Sequence, residues 1–365
     1  MRSRDSFRGC LLAGAAGDAL GFEIEFMPEG LIFERFGENG ITEYCLRNGM
    51  AEISDDTQMT LFTATGLLLG TSRGGDRGIP PKYEDCIRCC YTDWYRTQTE
   101  KYPLQEGPHY SWLVDLPQMF SRRAPGTTCL SALEGKDQGS IERPINRSKG
   151  CGGVMRVAPI GLYFCDTRIP IEESDRIGAE AAAITHGHDL GWLSAAALVH
   201  IIRRLAENEG ETVFHAVLDS MEALKRQYSQ SDYLEDLLGL MQKAIDLSVQ
   251  PWDDLDAIHQ LGQGWVAEET LAIAVYCALK YPEDIEKALI AAVNHGGDSD
   301  STGAVTGNIL GASLGEENIP QKFLDNLELR DVIQCIADDL YNDYVAVGDV
   351  AGSGFERESF SGGRE

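Results

Sequence analysis

Glycine and alanine crowd three stretches of this chain that otherwise read as helix, residues 10–21, 178–198 and 291–315. A glycine inside a helix costs about 1 kcal/mol relative to alanine, so helices that carry many of them must use the missing side chains. The use available is close approach, because two helix backbones touch only where no Cβ stands between them. The pattern predicts several helices drawn tightly around a shared centre. Apolar residues at helical spacing extend the reading to 7–20, 59–69, 82–97, 172–184, 189–205, 211–226, 232–247, 266–280, 283–293 and 300–314. Alternating runs of β-branched residues are short and few, which favours an all-α fold over an α/β one.

At 365 residues, and roughly 150 per domain, the chain has room for two domains or one large one. It carries no internal repeat of roughly 20–50 residues. Residues 70–150 are rich in glycine, proline, aromatics and charge and read as one long excursion with a helix inside it. Within it, residues about 98–120 have no obvious core pattern and expose Tyr, His and Trp. The expected organisation is a single helical domain over 1–349 with an insertion at about 98–120. The polar, Gly/Ser-rich tail over 350–365 is expected to be disordered.

Acidic side chains number 58 against 31 basic ones, a formal charge of -27. That balance disfavours a nucleic-acid backbone or an anionic membrane as the main partner. No apolar run approaches the ~20 residues of a spanning helix. The 10 cysteines are scattered apart from Cys86, Cys89 and Cys90, and no second pair completes a zinc-ribbon spacing. They read as buried thiols of a reducing compartment. The basic N-terminus with its short apolar run meets Asp18 at once and has no A-x-A-like cleavage site, so a cytoplasmic protein is expected.

Two runs of hydroxyl and carboxylate side chains stand directly ahead of helices: Ser54-Asp55-Asp56-Thr57 and Asp298-Ser299-Asp300-Ser301-Thr302. Ser, Thr and Asp are preferred N-caps, and acidic residues suit the positive end of the helix dipole. Capping is therefore the plain explanation of either run alone. One cap, however, needs one oxygen. The surplus carboxylates concentrate negative charge at a repulsive cost that a bound cation removes. Hard oxygen ligands suit Mg²⁺, Mn²⁺ or Ca²⁺ rather than zinc. If the two helix starts converge, four carboxylates and their hydroxyl neighbours have the makings of a two-metal hydrolytic centre. No acidic residue closes a 12-residue loop after Asp298, so this is not an EF-hand.

Other candidates are weaker. Glu23 and Glu25 follow Gly17-Asp18-Ala19-Leu20-Gly21, and Glu23 reads as a surface carboxylate. The turn Ser148-Lys149-Gly150-Cys151-Gly152-Gly153 lacks P-loop spacing, yet its backbone N–H groups could face a phosphate. His186 and His188 lie at a break between helices with no third ligand at a suggestive spacing. Trp265 is expected in the core. The absence of a G-x-S-x-G elbow leaves a Ser-His-Asp hydrolase little support.

Together, GCLLAGAAGDALGFEIEF (9–26), SDDTQMTL (54–61), SKGCGGVMRVAPIGL (148–162), ITHGHDLG (184–191) and NHGGDSDSTGAVTGNILGASLG (294–315) resemble the motifs of the ADP-ribosylglycohydrolase family. That family includes the dinitrogenase-reductase-activating glycohydrolase and the ADP-ribosylarginine hydrolases. The motifs occur in the family's order and span most of the chain. The resemblance implies an all-α, orthogonal helical domain with a dinuclear Mg²⁺ or Mn²⁺ centre in a central cleft. Carried over by position, the metal set is Ser54, Asp55, Asp56, Asp298, Asp300 and Ser301, with Ser at two positions where the family often has Thr. Glu25 falls where the family has a metal-neighbouring or substrate-orienting carboxylate. Gly150, Cys151, Gly152 and Gly153 would face the diphosphate with His186 nearby. Cys151 stands where Asn or Ser is often found, so its backbone N–H rather than its side chain would make the contact.

The implied reaction is hydrolysis between C1 of the distal ribose and a protein side chain, with Glu25, Asp55, Asp56 and Asp300 as the catalytic carboxylates. The SKGCGGVMR and GWVAEETLAIAVYC stretches look more like the bacterial arginine-directed members. Partners implied are an arginine-linked ADP-ribosylated protein and ADP-ribose itself. An ADP-ribosyltransferase toxin is a further candidate partner, through the 98–120 segment. The alternatives are a binding or immunity protein that blocks such a toxin by contact, or a hydrolase of serine or small-molecule linkages.

Overall fold

The computed structural model describes residues 3–343 apart from 78–81, 106, 136, 138, 167 and 168, with no side-chain description for 73–77. The tail expected to be disordered, 350–365, lies outside the described residues. The first helices are α1 (Arg4–Phe22), α2 (Glu29–Phe36), α3 (Asp55–Arg77), α4 (Tyr83–Thr99), α5 (Thr127–Glu134) and α6 (Ala158–Tyr163). There follow α7 (Ile171–Ala183), α8 (Asp189–Glu207), α9 (Val213–Gln227), α10 (Leu234–Ser248) and α11 (Asp254–Leu261). The last are α12 (Ala267–Lys280), α13 (Ile285–Val293), α14 (Ser299–Leu314), α15 (Gln321–Leu324) and α16 (Arg330–Asn342). Among the described residues the only extended pairing consists of isolated bridges, such as Gly150 with Val266. The all-α expectation holds.

α1 and α14 form the axis of the molecule. Every residue of α1 from Gly9 to Gly21, and of α14 from Ser299 to Ala312, is buried. A helix closed off on all sides has no polar face, which is why these two sequences carry so little amphipathic pattern. They run antiparallel, backbone on backbone. Gly9 meets Gly311, Ala13 meets Gly307, Gly17 meets Gly303 and Gly21 meets Ser299. The two numbers of each pair add to one constant, so the contact advances one four-residue step per turn along both helices. A methyl at any of these glycines would lie inside the van der Waals radius of the opposing backbone. The small residues are thus used as their density predicts.

Around this pair, α12 and α13 pack on α14, and α16 packs on α1. α3 packs on α4, and α8 on α6, α7 and α9. The amphipathic helices α9, α10 and α16 lie further out and show ordinary one-sided burial. The 98–120 segment is packed down rather than free. Leu113, Val114, Leu116 and Met119 are buried, and Asp93 of α4 accepts the Tyr110 and Ser111 amide hydrogens at 2.6 and 2.8 Å. Tyr102 and Tyr110 stay exposed on it. No helix among the described residues is long and apolar enough to cross a membrane.

Candidate active site

Asp18 is the innermost element of the site. It is fully buried in α1, one residue beyond the Gly17–Gly303 contact, and it reaches the start of α3. The Ser54 amide donates to both Asp18 oxygens at 3.0 and 3.1 Å, and the Thr57 amide donates at 3.0 Å. The Thr57 hydroxyl donates to the same carboxylate. An exposed helix start needs only its own cap; here a second helix supplies a charged acceptor to the orphan N–H groups. That leaves the α3 start aimed at the α1–α14 axis.

The lower end of the axis brings in the second acidic run. Gly21 lies against Ser299, whose hydroxyl donates to the Gly21 carbonyl at 3.0 Å. The first turn of α14 therefore sits beside the exit of α1, where the chain turns through Glu23 and Glu25. Glu23 faces outward and pairs with Arg35 and Arg47 at 2.8 and 2.9 Å. Glu25 turns inward and is buried. Glu25, Asp298 and Asp300 each offer a carboxylate oxygen, and these atoms lie within 4.8 Å of one another.

Capping accounts for part of the donor set. The Ser54 hydroxyl accepts the Asp56 amide hydrogen at 3.2 Å, and Asp298 accepts that of Ser301 at 3.4 Å. Asp300 also takes the Ser301 amide at 3.0 Å, and Asp55 the Gly126 amide at 3.4 Å. Asp56 Oδ2 and Glu25 Oε2 are buried with no hydrogen-bond partner. Asp18, Glu25, Asp55, Asp56, Asp298 and Asp300 are all buried, and no described Lys, Arg or His pairs with any of them. Burial and then the charge of Asp300 push Glu25 up to about 11 and Asp18 up to about 7. The same two causes raise Asp55, Asp56 and Asp298 well above the carboxylate range, and burial raises Asp300. Glu25, Asp298 and Asp300, buried within reach of one another and without a described counter-charge, have oxygens of the kind that fit a hard divalent ion.

The Gly-rich turn closes another side. It is pinned to the segment before α12, since the Cys151 amide donates to the Trp265 carbonyl at 3.3 Å and the Ala267 amide to the Lys149 carbonyl at 2.8 Å. The Cys151 N–H expected to face a diphosphate is therefore engaged, and burial followed by the charge of Asp298 raises the Cys151 thiol well above its ordinary value. His186 lies beneath the turn. A Cβ on Gly150 would come 3.3 Å from His186 Nε2, and one on Gly152 would come 2.9 Å from its Cε1. Thr185 hydrogen-bonds His186 Nδ1 at 2.8 Å, and burial followed by the Arg156 charge pushes the ring down to about 3. His186 is thus neutral and supports the turn. His188 serves as the α8 N-cap, accepting the Leu190 amide hydrogen at 3.1 Å.

Two residues depart from expectation. Trp265 is not core: it is 38% exposed and stacks on Phe26, itself 72% exposed, with centroids 5.8 Å apart and planes inclined by 19°. Its surroundings explain this, because Gly264 backs onto Asp298 and Val266 begins the descent into α12, leaving the indole between them at the surface. Asp18 carries more of the site than its motif position conveyed. The available signal was a lone aspartate inside an otherwise small and apolar helix, GAAGDALG, where burial is costly without partners.

Against known proteins, the family model described as ADP-ribosylglycohydrolase matches residues 1–358. The chain is 25% identical over 370 residues to the ADP-ribosylhydrolase ARH3 of Gallus gallus, which covers 93% of each chain. It is 24% identical over 330 residues to the ADP-ribosyl-[dinitrogen reductase] glycohydrolase of Rhodospirillum rubrum, covering 89% of this chain and 91% of that one. A solved structure described as an ADP-ribosylglycohydrolase-related protein complex has the same fold, with a TM-score of 0.62 and 24% identity over 93% of this chain and 98% of that one.

Proposed function

The chain belongs to the ADP-ribosylglycohydrolase family, and from that premise we propose that it is a metal-dependent hydrolase that removes ADP-ribose from modified protein, with arginine as the linked side chain. The observation that carries the reading is the convergence of Glu25, Asp298 and Asp300 within 4.8 Å, beside the Asp55 and Asp56 helix start and without a counter-charge. Ser54, Asp55, Asp56, Asp298, Asp300 and Ser301 would hold two Mg²⁺ or Mn²⁺ ions, which would supply positive charge for the ribose hydroxyls and Lewis acidity for the attacking water.

The chain's own residues do the rest. Glu25, whose Oε2 has no hydrogen-bond partner, would orient the attacking water and accept its proton once cationic charge at the site offsets the burial and repulsion that hold it up at about 11. Water adds at C1 of the distal ribose, the C–N bond to the guanidinium breaks, and the leaving nitrogen takes the proton that Glu25 removed from the water, which returns Glu25 to its carboxylate form. Asp18 holds the α3 start so that Asp55 and Asp56 stay in register with Asp300. The neutral His186 keeps the Gly-rich turn in place beside them.

The test is release of ADP-ribose from arginine-ADP-ribosylated protein, with Mg²⁺ and then with EDTA. Metal-dependent release from the arginine linkage is expected. Release from serine-linked protein alone would reassign the substrate, and release in EDTA would remove the metal from the mechanism.

A further inference from the structure

Phe26 adjoins the acidic centre in sequence, and Trp265 adjoins it in space. Phe26 directly follows Glu25. Trp265 follows Gly264, where an added Cβ would lie 3.3 Å from Asp298 Cβ, and Gln263 accepts the Asp298 amide hydrogen at 2.8 Å. The Trp265 carbonyl also accepts the amide hydrogen of Cys151, which lies in the Gly-rich turn. The two rings therefore form an exposed aromatic rim next to buried carboxylates, and stacked on each other at 72% and 38% exposure they make a contiguous apolar surface of the kind that marks a ligand site.

The chemistry of the rim selects what that ligand is. Aromatic faces attract cations, and a planar guanidinium both stacks on a ring and is more weakly hydrated than an ammonium. The carboxylates behind the rim add complementary charge. The bond that breaks lies at the acidic centre, so a group one residue away meets what is attached to C1 of the distal ribose. Adenine is separated from that carbon by both riboses and the diphosphate. Resting on the hydrolase reading above, we propose that the stacked Phe26–Trp265 pair is the platform for the guanidinium of the ADP-ribosylated arginine and sets the preference for that linkage.

Two measurements test it. In the first, kcat/KM is compared on arginine-linked and serine-linked substrates for the wild type, Phe26→Ala, Trp265→Ala and Trp265→Phe. The alanine variants should lose tenfold or more on the arginine linkage, mainly through KM, and less than about twofold on the serine linkage, with Trp265→Phe retaining most activity. Equal losses on both linkages would mean the rings stack on the ribose, and no loss would mean they touch nothing; either result overturns the proposal. In the second, intrinsic tryptophan fluorescence is titrated with agmatine and with an alkylamine of equal length. Saturable quenching by agmatine, weak with the amine and lost in Trp265→Phe, is expected. No agmatine-dependent change overturns the platform whatever the activity. Agmatine binding without hydrolysis of either linkage would leave the platform standing and sink the hydrolase reading alone.

Discussion

Asp18 accepts the amide hydrogen of Thr57 at 3.0 Å and its hydroxyl hydrogen as well, so a buried carboxylate of α1 clamps the first turn of α3. The clamp fixes Asp55 and Asp56 without spending either of them. Asp18→Asn keeps the shape but turns one acceptor oxygen into a donor facing the Ser54 amide. Loss of such a supporting partner typically costs about 10–100-fold in metal affinity or activity. Calorimetric titration with Mn²⁺ should show that weakening while the circular dichroism spectrum keeps its helical form. Unchanged affinity would mean the α3 start is positioned by packing alone.

Asp300 sits at the centre of the electrostatics. It is the largest charge acting on Asp18, Glu25, Asp55, Asp56 and Asp298. Asp300→Asn removes one ligand and relieves repulsion among the others, so two effects compete. In the metal-free protein relief wins, and the variant should melt at a higher temperature than wild type in EDTA. In Mg²⁺ the lost ligand wins, and hydrolysis should fall by about 100-fold or more. A variant that is destabilised in EDTA would show that the carboxylates do not repel one another.

The sequence made the axis and the acidic centre legible for a physical reason: both depend on residue types with few other uses at such density. Gly or Ala at four-residue steps in 9–21 and 303–311 has meaning chiefly as backbone contact, and surplus aspartates beyond a cap have meaning mainly as ligands. α16 passed unread although Val332, Ile333, Ile336, Ala337 and Leu340 carry a helical stripe. It starts at Leu329 with a left-handed backbone and no side-chain cap, so the usual start signal is missing. The short helices α2, α5, α6, α11 and α15 span one to two turns, too little for periodicity to declare itself. Trp265 was misplaced because a tryptophan in an apolar segment is usually buried, and only the turn at Gly264 and the presence of Phe26 bring it to the surface.

The glycine ladder makes a contrast that stability measurements can read. An alanine Cβ at Gly307 would collide with the Ala13 carbonyl and lie 2.8 Å from the Gly14 amide nitrogen, backbone atoms that cannot step aside. Gly307→Ala should therefore cost about 3 kcal/mol or more, the upper range for overpacking. Gly239, in the exposed middle of α10, has nothing within 4 Å of an added Cβ. There the same substitution should stabilise by about 0.5–1 kcal/mol through helix propensity. Urea denaturation of the two variants checks both signs. A neutral Gly307→Ala would mean that the axis can widen by a methyl without loss.

The acidic centre also fixes how stability varies with pH. Burial and mutual repulsion hold Asp18 up at about 7 and Glu25 up at about 11, against about 4 in an unfolded chain. Between the unfolded and folded values the folded state binds more protons, so stability falls as pH rises. The contribution is whole below about pH 4, and for Asp18 it is lost as pH climbs through about 7. Glu25 extends the loss to higher pH. A bound divalent cation favours the ionised carboxylates and reverses the trend. The melting temperature in EDTA should fall between about pH 5 and pH 8, and the increment produced by saturating Mg²⁺ should grow over the same interval. Thermal denaturation at several pH values, with and without Mg²⁺, reads the increment directly and cancels ionisations elsewhere in the chain. An increment that stays flat or shrinks as pH rises would show that the cation does not compete with protons at the acidic centre.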